Sequence, residues 1–139
     1  MTRFMILITL GLLASSVNAG NDPSIKGKLR EDIQQAMHNH IAANQIKGDY
    51  VHYDSLRGKV LRMKLDKVHE GIVSKGDFYV SCADFVDESG SKYDIDFMVA
   101  GDAEDLSVYQ AIVHKDRSGK RPYHLENYPD SVKLQVALI

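Results

Sequence analysis

The chain has 139 residues, with seventeen lysines and arginines against nineteen aspartates and glutamates and a formal net charge of −2. No basic run exceeds two residues, so the sequence lacks the basic surface that binds nucleic acids or anionic lipids. We therefore expect no nucleic-acid partner. The length is sufficient for one domain with an ordinary core.

The first nineteen residues have the three-part layout of a secretory signal peptide. Residues 1–3 carry one positive charge, residues 4–14 are almost entirely apolar, and Val17 and Ala19 are small residues where a signal peptidase needs them. The apolar run is shorter than the roughly 20 residues that a membrane-spanning helix requires. We expect cleavage after Ala19, a single domain over 20–139, and an exported protein, periplasmic or secreted, without stable membrane insertion.

Residues 23–47 are predicted to form a long helix. Asp22 is a suitable N-cap and Pro23 a suitable first helical residue, and Gly48 suits the position just after the helix. Apolar side chains recur every three or four residues, which is typical of a helix with one buried face. This stripe consists of Ile25, Leu29, Ile33, Ala36, Met37 and Ile41.

After Gly48 the apolar pattern changes to a period of two, which indicates strands. Residues 49–55 form either a short strand or an extended linker, and residues 121–126 suit an edge strand because Pro122 cannot donate to a ladder. Residues 130–139 fit a strand or a short helix equally well. The clearer strands span 59–69, 78–85, 93–99 and 106–115.

One long N-terminal helix followed by these strands predicts an α+β domain, with the helix packed on a four- to five-stranded antiparallel meander sheet. This order of elements resembles the cystatin-like and NTF2-like folds. The strings at 81–85, 93–97 and 112–115 also resemble those of small secreted bacterial proteins of unassigned function. The inhibitor loop Gln-x-Val-x-Gly of true cystatins is absent from the sequence.

Asp94 and Asp96 are two residues apart on a predicted strand, so both carboxylates project from one face. We expect either a solvated outer face or, if neighbouring strands contribute, a ligand pocket on the face away from the helix. The neighbours chosen for that pocket are Tyr79, Ser81 and Tyr109. These three residues, with Asp94 and Asp96, are the candidate ligand-binding residues.

The leading functional hypothesis is a non-catalytic binding module for a small molecule or a protein partner. Residues 106–113 are apolar on both faces of their strand, and the helix covers only one of them. Homodimerisation through the open face explains the same pattern. The sequence has no phosphate loop, nucleophile elbow, Cys-x-x-Cys or EF-hand, so we predict no cofactor and no catalytic residue.

Two alternatives remain open. The first is an NTF2-like enzyme in which Asp94 or Asp96 acts as a general base beside Tyr79 or Tyr109.

The second alternative is metal handling through His69, Cys82 and His114, although no His-x-x-x-His or Cys-rich metal motif exists. Cys82 is the only cysteine, so in an oxidising compartment it cannot form an intramolecular disulfide. We expect it to be a buried small residue. Cys82 has three alternative roles: an intermolecular disulfide, a reactive thiol or the nucleophile of a Cys–His pair.

Overall fold

The computed structural model describes residues 20–127. The predicted signal peptide at 1–19 and the ambiguous tail at 130–139 lie outside the described residues. In the part of the chain that is described, no helix is long and apolar enough to cross a membrane. The elements are α1 (Lys28–Ala43), β1 (Gln45–Ile46), β2 (Asp49–Asp54), β3 (Lys59–Ser74), β4 (Phe78–Asp87), β5 (Lys92–Asp102), β6 (Asp105–Asp116), β7 (Gly119–Lys120) and a short 3₁₀ helix (Leu125–Asn127).

Helix α1 begins at Lys28, five residues after the predicted start at Pro23. Asp22 does not cap it: its carboxylate accepts hydrogen bonds from the backbone N–H and the hydroxyl of Ser24, which form a local turn. Gly27 precedes the helix with a φ of 59°, a conformation that glycine adopts without strain. The predicted apolar stripe is confirmed within the helix, where the buried residues are Ile33, Ala36, Met37 and Ile41.

The predicted fold class is wrong. The seven strands form one antiparallel sheet in sequential order, and within residues 20–127 strands contain 55% of the residues and helices 18%. The helix-on-small-sheet prediction failed because residues 49–54 form a full strand and β3 extends to Ser74, five residues beyond the predicted end. Two short strands, β1 and β7, complete a sheet-dominated fold.

The sheet has an inner face that packs against α1 and an opposite, outer face. Ile95, Phe97 and Val99 of β5 point inward and are fully buried. The rings of Tyr50 on β2 and Phe85 on β4 stack at 4.9 Å between centroids, so β2 curls over the same core. The alternating side chains of β4 and β5, including Cys82 and Asp96, therefore point outward.

After β7 the chain crosses the outer face through residues 121–127, which we call the C-terminal segment. Residues 121–126 do not form the predicted edge strand. Leu125 is 0% exposed, and its backbone N–H donates to Asp96 Oδ2 at 2.9 Å. The segment therefore covers part of the outer face that the sequence predicted to be open.

Candidate metal-binding site

A β-bulge in β3 brings His69 to the outer face. Val68 pairs with Ala83 and Ile72 pairs with Ser81, so residues 69–71 lie opposite the single residue Cys82. Such insertions bend a strand and redirect its side chains. Gly71 fits because a Cβ there would lie 2.6 Å from the carbonyl oxygen of Gly20.

Three donor side chains from neighbouring strands converge at this bulge. The Cys82 Sγ lies 2.8 Å from His69 Nδ1. Donor atoms of His69, Cys82 and Asp94 all lie within 4.8 Å of one another. The opposite ring nitrogen of His69, Nε2, lies 2.9 Å from Asp84 Oδ2. We call His69, Cys82 and Asp94 the open site, because all three are partly exposed.

The environment of Cys82 is strongly negative. Burial raises the pKa of its thiol, and the charges of Asp94, Asp96, Glu126 and Asp84 raise that pKa further. The thiol is therefore protonated at neutral pH in the absence of a cation. A bound metal ion would reverse this, since metal ligation deprotonates a thiol outright.

A second bulge, in β6, places His114 on the outer face. Asp94 pairs with Lys115 and Ile95 with Val113, which leaves His114 as the extra residue between them. His114 Nε2 lies 3.1 Å from Asp94 Oδ2, and its Nδ1 lies 2.5 Å from Asp96 Oδ1. Burial lowers the pKa of His114, but its close contacts with the carboxylates of Asp94 and Asp96 outweigh burial and raise it to about 9.

The C-terminal segment adds His124 to this group. Its ring stacks on the ring of His114 at 4.3 Å between centroids, and its Nδ1 lies 3.0 Å from Asp96 Oδ2. Asp96, His114 and His124 each offer a donor atom within 4.8 Å of the others. We call these three residues the buried cluster.

The structure does not bring the five candidate ligand-binding residues together. Asp94 and Asp96 share the outer face, but Tyr79 and Ser81 pair with Val99 and Phe97 and therefore lie on the inner face.

Tyr109 lies at a register shift between β5 and β6, where it has no paired residue on β5, and its side chain is 69% exposed. Within residues 20–127, neither Tyr79 nor Tyr109 hydrogen-bonds to Asp94 or Asp96. The arrangement expected for an acid–base enzyme is therefore not formed.

Two cavities bear on ligand binding. A groove of about 680 Å³ reaches the open site and is lined by both basic and acidic side chains, among them Lys67 and Glu126. A smaller, more apolar cavity of about 200 Å³ lies between β2 and β6, beside Leu56 and Tyr123. It is below the roughly 300–1,000 Å³ of typical small-molecule pockets, so the groove at the open site is the better candidate.

The chain Cys82–His69–Asp84 has the connectivity of a nucleophile, a base and an orienting carboxylate. Its electrostatics oppose that role, because burial and the surrounding carboxylates raise the pKa of the Cys82 thiol. Activated cysteines instead lie in electropositive surroundings that lower the pKa. The same charges favour a cation, so metal binding suits this site better than nucleophilic catalysis.

Sequence reasoning singled out His69, Cys82 and His114 for a metal site but did not assign Asp84 or His124 to it. The available signal was Gly71, since a glycine inside a strand pattern often marks a bulge. No comparable signal marked His124, because its position depends on how the C-terminal segment folds back over the sheet.

The resemblance to small secreted bacterial proteins rests on short strings of the sequence. It stays a prediction, as do export and the nature of any partner. In comparisons with known proteins, no family model, no curated protein and no solved structure matches the chain.

Proposed function

We propose that the protein is an exported metal-binding protein that holds a thiolate-preferring divalent ion, such as Zn²⁺, at the open site. The observation that carries the proposal is the convergence of His69 Nδ1 and Cys82 Sγ at 2.8 Å with a carboxylate of Asp94 close by. A thiolate, an imidazole and a carboxylate are ligands that Zn²⁺ takes in proteins.

The supporting contacts around the open site are those that a metal site needs. Asp84 holds the distal nitrogen of His69 at 2.9 Å, and a metal-bound histidine usually donates its other N–H to such a carboxylate. Asp94 uses Oδ2 toward His114, while its buried Oδ1 has no hydrogen-bond partner among the described residues. That oxygen is available to a cation.

The position of the open site favours an exchangeable ion over a permanently enclosed one. Its three protein ligands leave a fourth tetrahedral position free, as in zinc sites that bind water or a substrate. The groove of about 680 Å³ gives access from solvent. In the predicted oxidising compartment, ligation would also protect the lone thiol, because a metal-bound sulfur is less available to oxidants.

Cobalt substitution tests the proposal on the full chain, expressed without a polyhistidine tag and freed of metal by dialysis against a chelator. Addition of Co²⁺ should produce a thiolate-to-metal charge-transfer band in the near ultraviolet. Zn²⁺ should displace the Co²⁺ and abolish this band. The variant Cys82→Ser should lose this band.

The variant His69→Gln should weaken Zn²⁺ binding at the open site, measured by loss of the thiolate band, by more than about 100-fold, since loss of a ligand exceeds the 10–100-fold effect of losing a supporting contact. His38→Gln, an exposed histidine on α1, is the matched control and should bind as the parent protein does. A band that persists in Cys82→Ser, or its absence in the parent, rules the open site out.

A further inference from the structure

The buried cluster differs from the open site in one respect that matters for its role. Asp96 is 0% exposed and His114 is 5% exposed, whereas every member of the open site is partly exposed. The three residues also come from three separate parts of the chain: Asp96 from β5, His114 from β6 and His124 from the C-terminal segment.

The hydrogen bonding of the buried cluster is incomplete. Asp96 Oδ1 and His114 Nδ1 approach to 2.5 Å, but their alignment does not meet hydrogen-bond geometry. Both atoms are buried without a hydrogen-bond partner among the described residues. Unpaired buried polar atoms are rare in folded proteins and call for a missing partner such as water or an ion.

Among the described residues, the only cationic partners of the carboxylates in this region are histidines. Asp94 and Asp96 place two carboxylates beside two imidazoles, and no lysine or arginine in residues 20–127 forms an ion pair with either of them. Buried carboxylates are stable only when paired, protonated or bound to metal. In the metal-free protein these carboxylates are paired, within the described part of the chain, only with histidines; a divalent ion bound to Asp96 would take over this role and leave both imidazoles neutral, as metal ligation requires.

We infer that Asp96, His114 and His124 form a second metal site, in which Zn²⁺ joins the buried side chains of β5 and β6 to His124 and so fastens the C-terminal segment to the outer face of the sheet. Two imidazole nitrogens and a carboxylate oxygen are a common ligand set for this ion. The Leu125 N–H that donates to Asp96 Oδ2 at 2.9 Å orients the carboxylate. This site shares no residue with the open site.

Zinc stoichiometry of the full, untagged chain tests the inference. We expect two equivalents of Zn²⁺ in the parent protein and one in His124→Gln, with one also in Cys82→Ser and none in the double variant. A second equivalent that survives in His124→Gln overturns the inference. If the parent binds one equivalent and Cys82→Ser removes it, the second site is wrong and the proposed function stands. If the parent binds one equivalent and only His124→Gln removes it, the second site stands and the proposed function at the open site is wrong.

Hydrogen exchange tests the structural role, first in the parent protein and then in two variants. Amides of residues 121–127 should exchange at least tenfold faster after metal removal and regain protection when Zn²⁺ alone is added. The same amides should exchange rapidly in His124→Gln even with Zn²⁺ present, whereas Cys82→Ser should retain the protection. Equal exchange in the metal-free and Zn²⁺-loaded parent protein overturns the inference.

Discussion

Cys82 lies directly opposite Asp96 in the ladder between β4 and β5. Opposed side chains of an antiparallel pair have Cβ atoms about 4.5–5.5 Å apart, so the thiol of the open site and the carboxylate of the buried cluster are immediate neighbours. Asp84 and Asp94 are paired in the same way two residues along the ladder, on the same face. The two proposed metal sites are thus adjacent on the paired strands β4 and β5.

The first prediction concerns the reactivity of Cys82. Burial and four nearby carboxylates raise the pKa of its thiol, so little reactive thiolate exists at neutral pH. In the metal-free protein at pH 8, alkylation by iodoacetamide should be at least about tenfold slower than for an unstructured cysteine peptide. Mass spectrometry over time measures both rates. Faster alkylation than in the peptide would instead identify Cys82 and His69 as a nucleophile pair.

The second prediction concerns the ion pair that closes the curled sheet. The guanidinium of Arg121 donates to both carboxylate oxygens of Asp54 on β2, at 2.7 and 2.6 Å, and to Asp116 at the end of β6. Arg121→Met leaves buried carboxylates without this partner, which should lower the free energy of unfolding by about 3–5 kcal/mol. Urea denaturation measures the change.

Arg117→Met is the matched control for the arginine substitution. Arg117 is exposed in the turn before β7, so its loss should change the free energy of unfolding by less than about 0.5 kcal/mol. Similar effects from the two variants would mean that Arg121 does not fasten β2 to the end of β6.

The third prediction is the pH dependence of the same ion pair. Hydrogen bonds from Arg121 hold the pKa of Asp54 below its ordinary value of 3.8. A lowered folded-state pKa gives stabilisation that is complete above the unfolded pKa and is lost as the pH falls through the folded pKa. The free energy of unfolding should therefore decrease as the pH is lowered below about 4.

Comparing variants isolates the contribution of Asp54 from those of the other carboxylates. The acid loss should be smaller in Arg121→Met, where nothing lowers the pKa of Asp54 in this way, and unchanged in Arg117→Met. Equal acid slopes in all three proteins would show that Asp54 and Arg121 contribute no pH-dependent stability.

The spacing of apolar residues along the chain correctly predicted which faces of α1 and β5 are buried. The apolar stripe of α1 and the inward direction of Ile95 and Phe97 follow from periods of 3.6 and 2, and the structure buries them. The start of α1 was wrong because Asp22 bonds to Ser24 in a turn of its own. Sequence composition alone does not distinguish that turn from a helix cap, since the same residue types favour both.

The site was harder to predict because it depends on register. Bulges at residues 69–71 and at His114 shift the strands by amounts that alternation does not reveal, and a shift of one residue moves a side chain to the other face. Tyr79 and Ser81 were placed with Asp94 for a related reason: the register between β4 and β5 is regular but is not encoded in the alternation, and it pairs them with Val99 and Phe97 on the opposite face. His124 reaches Asp96 only through the fold of the C-terminal segment.

The fourth prediction concerns the cover of the outer face. Leu125 is 0% exposed and lies in the C-terminal segment, above strand β5. Leu125→Ala should lower the free energy of unfolding by about 2–3 kcal/mol, the lower part of the range for buried leucines, because a short segment can partly collapse into the space. Leu56→Ala, at a leucine that is 54% exposed, is the control and should change it by less than about 0.5 kcal/mol. A loss for Leu125→Ala as small as that of the control would mean that the segment does not seal the sheet, and the outer face would then be available to the ligand or second copy that the sequence predicted.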